Sequence, residues 1–156
     1  MIFQQLCPRL AAAIMLVLLS PSAVAISPEQ IFIQASPSVV VVDIFDAQGE
    51  KLAQGSGAVI GAGQVVTNCH VARNGKSLRV RQSGKTFKAS LQYVDLDRDL
   101  CQLSAPDLQA TPVVLGTAKT LRVGQRVYAI GAPRGLELTL SEGLISSLRS
   151  YQGSQY

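Results

Sequence analysis

Residues 55–72 read GSGAVIGAGQVVTNCHVA, and the reading of this stretch decides the rest. Two runs of small and β-branched residues flank the cluster Gly61-Ala62-Gly63, the pattern of two strands joined by a turn. The second run ends in the chain's only histidine, His70, with Cys69 directly before it. Such a pair is open to three chemistries: a Cys–His nucleophile, half of a metal site, or the base of a triad completed elsewhere.

Working outward, the same β character continues in both directions. SVVVVDIFDA (38–47) precedes the stretch, and SLRVRQS (77–83), TFKASLQYV (86–94) and LCQLS (100–104) follow it. Turn-forming clusters such as RNGK and SGK separate them. A Pro-bounded ATPVVLG (110–116), then RVGQRVYAIG (122–131) and LELTLSEGLISSL (136–148), read as further strands. Many short strands at this spacing predict an all-β antiparallel barrel or sandwich. Ahead of them Ser27-Pro28-Glu29-Gln30 reads as a helix start, with Ser27 and Gln30 in capping-box positions, and the helix should end before Pro37. The closing YQGSQY (151–156) reads as a loop.

Residues 1–25 stand apart from this pattern. Arg9 precedes an uncharged apolar run of roughly ten residues, too short to span a bilayer, and small residues follow at Ala23 and Ala25. That order is a secretory signal peptide with cleavage expected after Ala25, which places the mature chain in the periplasm or outside the cell. The mature chain has 13 basic and 10 acidic residues, scattered rather than clustered, so nucleic acid is not an expected partner, nor is a membrane after cleavage. Export also leaves an even pair of cysteines, Cys69 and Cys101, which in an oxidising compartment invites a disulfide, with two buried thiols as the alternative.

Against this background the three chemistries separate. If residues 65–71 form one strand, Cys69 and His70 point to opposite faces, so sulfur and imidazole cannot easily meet as a nucleophile pair. Zinc would require three or four ligands at workable spacing, and no CxxC, HxxxH or HExxH occurs. No metal or cofactor is therefore expected. A triad requires a carboxylate to fix the imidazole, and VDLDRDLCQL (94–103) offers Asp95, Asp97 and Asp99. Asp99 lies at a loop-to-strand junction where a packed strand would hold it rigid and partly dry; Asp95 and Asp97 should face solvent.

At these residues the chain resembles the trypsin-like serine proteases of the bacterial HtrA/Deg type. GSGAVIGAGQVVTNCHVA is similar to the family's histidine region, where a GSG strand leads into V-[VL]-T-N-x-H-V. DRDLCQL (97–103) resembles its D-[IL]-A-[LV] segment, and LRVGQRVYAIGAPRGLELTLSEGLISSL (121–148) resembles the stretch that opens its second β-barrel, with Ala132 in place of a frequent Asn. The resemblance implies a trypsin-like antiparallel β-barrel, peptide-bond hydrolysis of polypeptide substrates, His70 as general base and Asp99 as its orienting carboxylate. Ser56 precedes the histidine and so is not the nucleophile; Gly55 and Gly57 are read as letting backbone approach closely. If His70 and Asp99 meet, Cys69 and Cys101 are brought together as well, with Cys101 on the Asp99 face of a regular strand, and a bridge behind the pair is expected.

The family's nucleophile sits in a G-[ND]-S-G-G-P turn, and no serine here has those neighbours. The expected organisation is a signal peptide (1–25), a short N-terminal helix (26–36), a first barrel carrying His70 and Asp99 (37–115) and the opening strands of an incomplete second barrel (116–156). The expected function is a secreted or periplasmic serine endopeptidase, here a fragment without its nucleophile and inactive alone. The alternative is a non-catalytic barrel of the same fold acting as a protein-binding module. Oligomeric state is not legible in the sequence.

Overall fold

The computed structural model describes residues 26–73, 75–133, 138–151 and 154–155. The expected signal peptide lies outside the described residues. The chain enters through α1 (Pro28–Ala35), and the capping box forms as expected. Ser27 Oγ accepts the Gln30 N–H at 3.2 Å, while Gln30 Oε1 accepts the Ser27 N–H at 3.1 Å. Together they satisfy two donors that a helix start otherwise leaves open. A 3-10 turn at Ser36–Ser38, started by Pro37, then delivers the chain into the first strand.

Six antiparallel strands close into a barrel: β1 (Val39–Phe45), β2 (Lys51–Gly61), β3 (Gln64–Thr67), β4 (Ser77–Gln82), β5 (Lys85–Asp95) and β6 (Leu100–Ser104). Around the ring the order is β1, β2, β3, β6, β5, β4, and β4 returns to pair with β1. The fold is thus the all-β barrel expected. Alternation fills its interior, with Val40, Val42 and Ile44 of β1 facing Val59, Val65, Leu78, Val80 and Leu103 across the core. The outward positions Val41 and Asp43 of β1 are buried too, which explains why this strand opens on four consecutive valines rather than alternating. Lys51 Nζ lies 2.6 Å from Asp43 Oδ1, and Arg81 Nε donates to Oδ2 at 3.3 Å, so the covered carboxylate is matched by charge.

Gly57 faces this core. A Cβ there would stand 2.6 Å from Val65 Cγ1 and 3.1 Å from Val42 Cγ2, and at Gly55 it would meet Val71 at 2.8 Å. The close approach expected at these glycines therefore comes from valine side chains rather than from neighbouring backbone.

Two further expectations change. Residues 110–116 form no strand: a closed ring offers no free edge, and the segment is held instead by a single ladder-like bond, Val113 N–H to Val59 O at 2.8 Å, where the β2–β3 register shifts. The closing residues are not a simple loop, because β9 (Ser150–Tyr151) and β10 (Ser154–Gln155) pair antiparallel. Between these segments β7 (Arg126–Gly131) and β8 (Thr139–Leu144) form a two-stranded hairpin outside the ring. No helix among the described residues is long and apolar enough to cross a membrane.

Because Gly57 is wedged among three core valines, Gly57→Ala should destabilise the barrel by about 1–3 kcal/mol through overpacking. A lowered urea midpoint at unchanged slope checks it, and an unchanged midpoint contradicts it.

Candidate active site

Thr67 ends β3, and its hydroxyl donates to the Ser56 carbonyl at 2.8 Å, tying this strand end to β2. The chain does not continue as a strand through His70. Residues Cys69–Ala72 form a one-turn helix, α2, entered from the extended Asn68. Its opening N–H groups explain why. Cys69 N–H donates to the Asp99 carbonyl at 3.2 Å and His70 N–H to Asp99 Oδ1 at 2.8 Å. A residue 29 positions away thus does what an N-cap side chain normally does locally. Asn68 makes no cap bond of its own; its amide donates to the Asp99 carbonyl at 3.1 Å and to Oδ2 at 3.2 Å.

The helical turn still sends neighbouring side chains apart. Cys69 points into the core at 1% exposure, whereas the His70 side chain is 67% exposed. Nδ1 of the imidazole lies 2.5 Å from Asp99 Oδ2. An ionised carboxylate can only accept, so Nδ1 carries the proton, and Nε2 has no hydrogen-bond partner among the described residues. Both oxygens of Asp99 are therefore engaged by one residue: Oδ1 by its backbone and Oδ2 by its ring.

Asp99 reaches this position through an unusual backbone. Its φ is +52°, a left-handed conformation that aspartate tolerates better than most residues, just before β6 begins. This overturns the expectation that Asp99 and Cys101 share a face. The reversed backbone turns the carboxylate outward at 42% exposure, while Cys101 lies fully inside. The carboxylate is consequently wetter than the sequence suggested. Its pKa is nonetheless held below the ordinary 3.8, chiefly by the His70 backbone N–H, then by the imidazole, with the Asn68 amide adding to both.

Of the other two carboxylates, neither joins the pair. Asp95 closes β5 and binds Arg98 twice, accepting its backbone N–H at 3.0 Å and Nη1 at 2.8 Å, which shapes the turn that presents Asp99. Asp97 faces solvent within that turn.

Behind the pair, Cys69 and Cys101 are joined in a disulfide with their Cα atoms 4.9 Å apart. The bond fastens α2 to β6, and it removes the thiol that a Cys–His nucleophile would require. Among the described residues no group of three or more histidine, cysteine or acidic side chains could hold a metal ion. What remains chemically is an outward imidazole whose Nε2 can accept a proton, fixed at Nδ1 by a carboxylate. The role of Asn68 was not foreseen: the T-N-x-H pattern contains it, but only the fold brings the Asp99 loop within its reach.

A closed antiparallel barrel with a histidine and an aspartate meeting at its rim has the architecture of the trypsin-like peptidases. The chain belongs to that family, in its HtrA type: residues 55–156 match the trypsin-like peptidase domain. It is 37% identical over 133 residues to "Protease Do-like 1, chloroplastic" of Arabidopsis thaliana, covering 77% of this chain and 30% of that one. Against "Serine protease HTRA2, mitochondrial" of Bos taurus the identity is 34% over 122 residues, 73% of this chain and 27% of the relative. Its fold is similar to that of the crystallised serine endoprotease from Yersinia pestis, with a TM-score of 0.71 at 29% identity over 80% of this chain and 46% of the other. The chain thus spans less than half the length of each.

Two outcomes follow from this geometry. Replacing Cys69 and Cys101 together by alanine should cost roughly 3–4 kcal/mol in denaturant unfolding, the loop-closure value for a 32-residue separation; a loss under about 1 kcal/mol would mean that the unfolded chain is not what the bridge constrains. The Asp99 carboxyl carbon should titrate with an NMR midpoint below 3.8. A depressed folded value means that its contribution to stability is complete above the ordinary range and is lost as pH falls through that lower midpoint. Asp99→Asn should abolish this acid-side component.

Proposed function

We propose that the chain supplies the base and the orienting acid of a periplasmic or secreted serine endopeptidase acting on polypeptides. The observation that carries this reading is the double engagement of Asp99 by His70, at 2.8 Å to its N–H and 2.5 Å to Nδ1, which leaves Nε2 outward. In this reading His70 Nε2 takes the proton of an attacking seryl hydroxyl and returns it to the departing amine. Asp99 keeps the imidazole in the required tautomer and stabilises the imidazolium that forms.

No serine hydroxyl among the described residues hydrogen-bonds His70, and none of the serines in the sequence has the glycine-flanked setting of the family's nucleophile. Histidine and aspartate alone do not open a peptide bond, because nothing attacks the carbonyl and nothing stabilises the oxyanion. Hydrolysis therefore awaits, from outside the described residues, a seryl hydroxyl presented to Nε2 and N–H donors presented to the developing oxyanion. The exposure of both side chains, 67% and 42%, is consistent with a site still open on that side. Export is supported by the leader-like residues 1–25 and by a disulfide, which persists in oxidising compartments. The division into a helix (26–36), a barrel unit (37–115) and a second unit (116–156) is supported by ring closure within 39–104 and by the hairpin outside it.

The 156-residue protein should leave casein intact. Joined to the nucleophile-bearing half of an HtrA relative, it should hydrolyse casein, and His70→Ala or Asp99→Asn should each lower kcat by on the order of 10⁴-fold or more. An inactive, well-folded joined protein that still binds casein would favour the non-catalytic binding barrel. Hydrolysis by the 156 residues alone, lost in His70→Ala, would overturn the missing nucleophile.

A further inference from the structure

Ser56 lies outside the His–Asp pair, yet it touches both the hairpin and the histidine segment. It stands in β2 opposite Val41, between Gly55 and Gly57, and is half-buried. Its hydroxyl oxygen accepts the N–H of Ala132 at 2.9 Å, across 76 residues. Ala132 directly follows β7 and is buried against the barrel. Gly131, the last residue of β7, faces the same hydroxyl so closely that a Cβ there would lie 3.0 Å from Oγ. At its other end, the Ser56 carbonyl accepts the Thr67 hydroxyl at 2.8 Å, one residue before Asn68 and three before His70. Gly55, its chain neighbour, packs against Val71 of α2. Strand pairing of β2 uses only the Ser56 backbone, so the ring itself has no use for the hydroxyl.

We propose that Ser56 is a positioning residue: its hydroxyl docks the β7–β8 hairpin at a set height on the face of the barrel that carries His70. Glycine at 131 suits this contact, because a Cβ there would stand 3.0 Å from Oγ and press the hydroxyl away by a few tenths of an ångström. The consequence for catalysis rests on the peptidase reading above, since a nucleophile carried beyond the hairpin would be held relative to Nε2 through this contact. The docking itself does not depend on that reading.

Amide hydrogen exchange on the 156-residue protein tests it. Ser56→Ala should speed exchange at Ala132 and across 126–131 and 139–144 by roughly three- to tenfold, the effect of one neutral hydrogen bond, with β1 and β4 unchanged. Ser56→Thr, which keeps the hydroxyl, should restore most of the protection. Gly131→Ala should loosen the hairpin similarly by itself and add little in the Ser56→Ala background, where the new Cβ meets only the residue-56 Cβ at 3.7 Å. Unchanged hairpin exchange in Ser56→Ala overturns the proposal. So does equal loosening of β1 and β4, or a Ser56→Thr protein as fast as Ser56→Ala. None of these readouts involves hydrolysis, so failure of the peptidase reading would leave them unaffected.

Discussion

The site depends on one carboxylate that serves two purposes. Asp99 closes the open N-terminal end of α2 by accepting the His70 N–H, and the same group fixes the His70 ring. The first bond accounts for the helical turn at 69–72 instead of a continued strand; the second gives the imidazole its orientation. Because both come from one residue, the histidine backbone and its ring cannot drift apart independently. Asn68 adds a third donor to the same acceptor, and the disulfide fastens the helix and the strand head from the core side.

The two faces of α2 are held by different forces. Inward, Cys69 and Ala72 join a core in which valine is the commonest residue, where dispersion and water exclusion act without direction. Outward, His70 is held by charge-assisted hydrogen bonds at a surface that water reaches, where coulombic attraction alone is screened. Precise placement there rests on geometry: two oxygens of one carboxylate meeting two nitrogens of one residue. The left-handed backbone at Asp99 is what turns those oxygens outward while Cys101, two residues on, stays within the core.

The barrel makes this arrangement rigid. Ring closure leaves no edge on β1 to β6, so β3 and β6, whose ends carry the histidine and the aspartate, are paired directly from Gln64↔Ser104 to Thr67↔Cys101. The hairpin β7–β8 has no such closure and is paired only with itself among the described strands. Its attachment to the barrel therefore relies on side-chain and main-chain contacts, such as Ala132 N–H to Ser56 Oγ, rather than on a shared ladder.

Much of this was legible in the chain. Strand alternation in SLRVRQS and LCQLS, the turn at Gly61–Gly63, the capping box at Ser27 and Gln30, and the pairing of two cysteines all express short-range rules or simple counting. What the sequence alone determined was the set of candidate side chains: one histidine, one suitably flanked aspartate and no serine in the setting of the family's nucleophile. Tertiary structure decided how those side chains are held. The helical turn at His70, the outward swing of Asp99, the part of Asn68 and the absence of a strand at 110–116 all follow from contacts between segments far apart in the chain. Local periodicity carries no signal for a cap supplied from 29 residues away, nor for an edge that ring closure has already used.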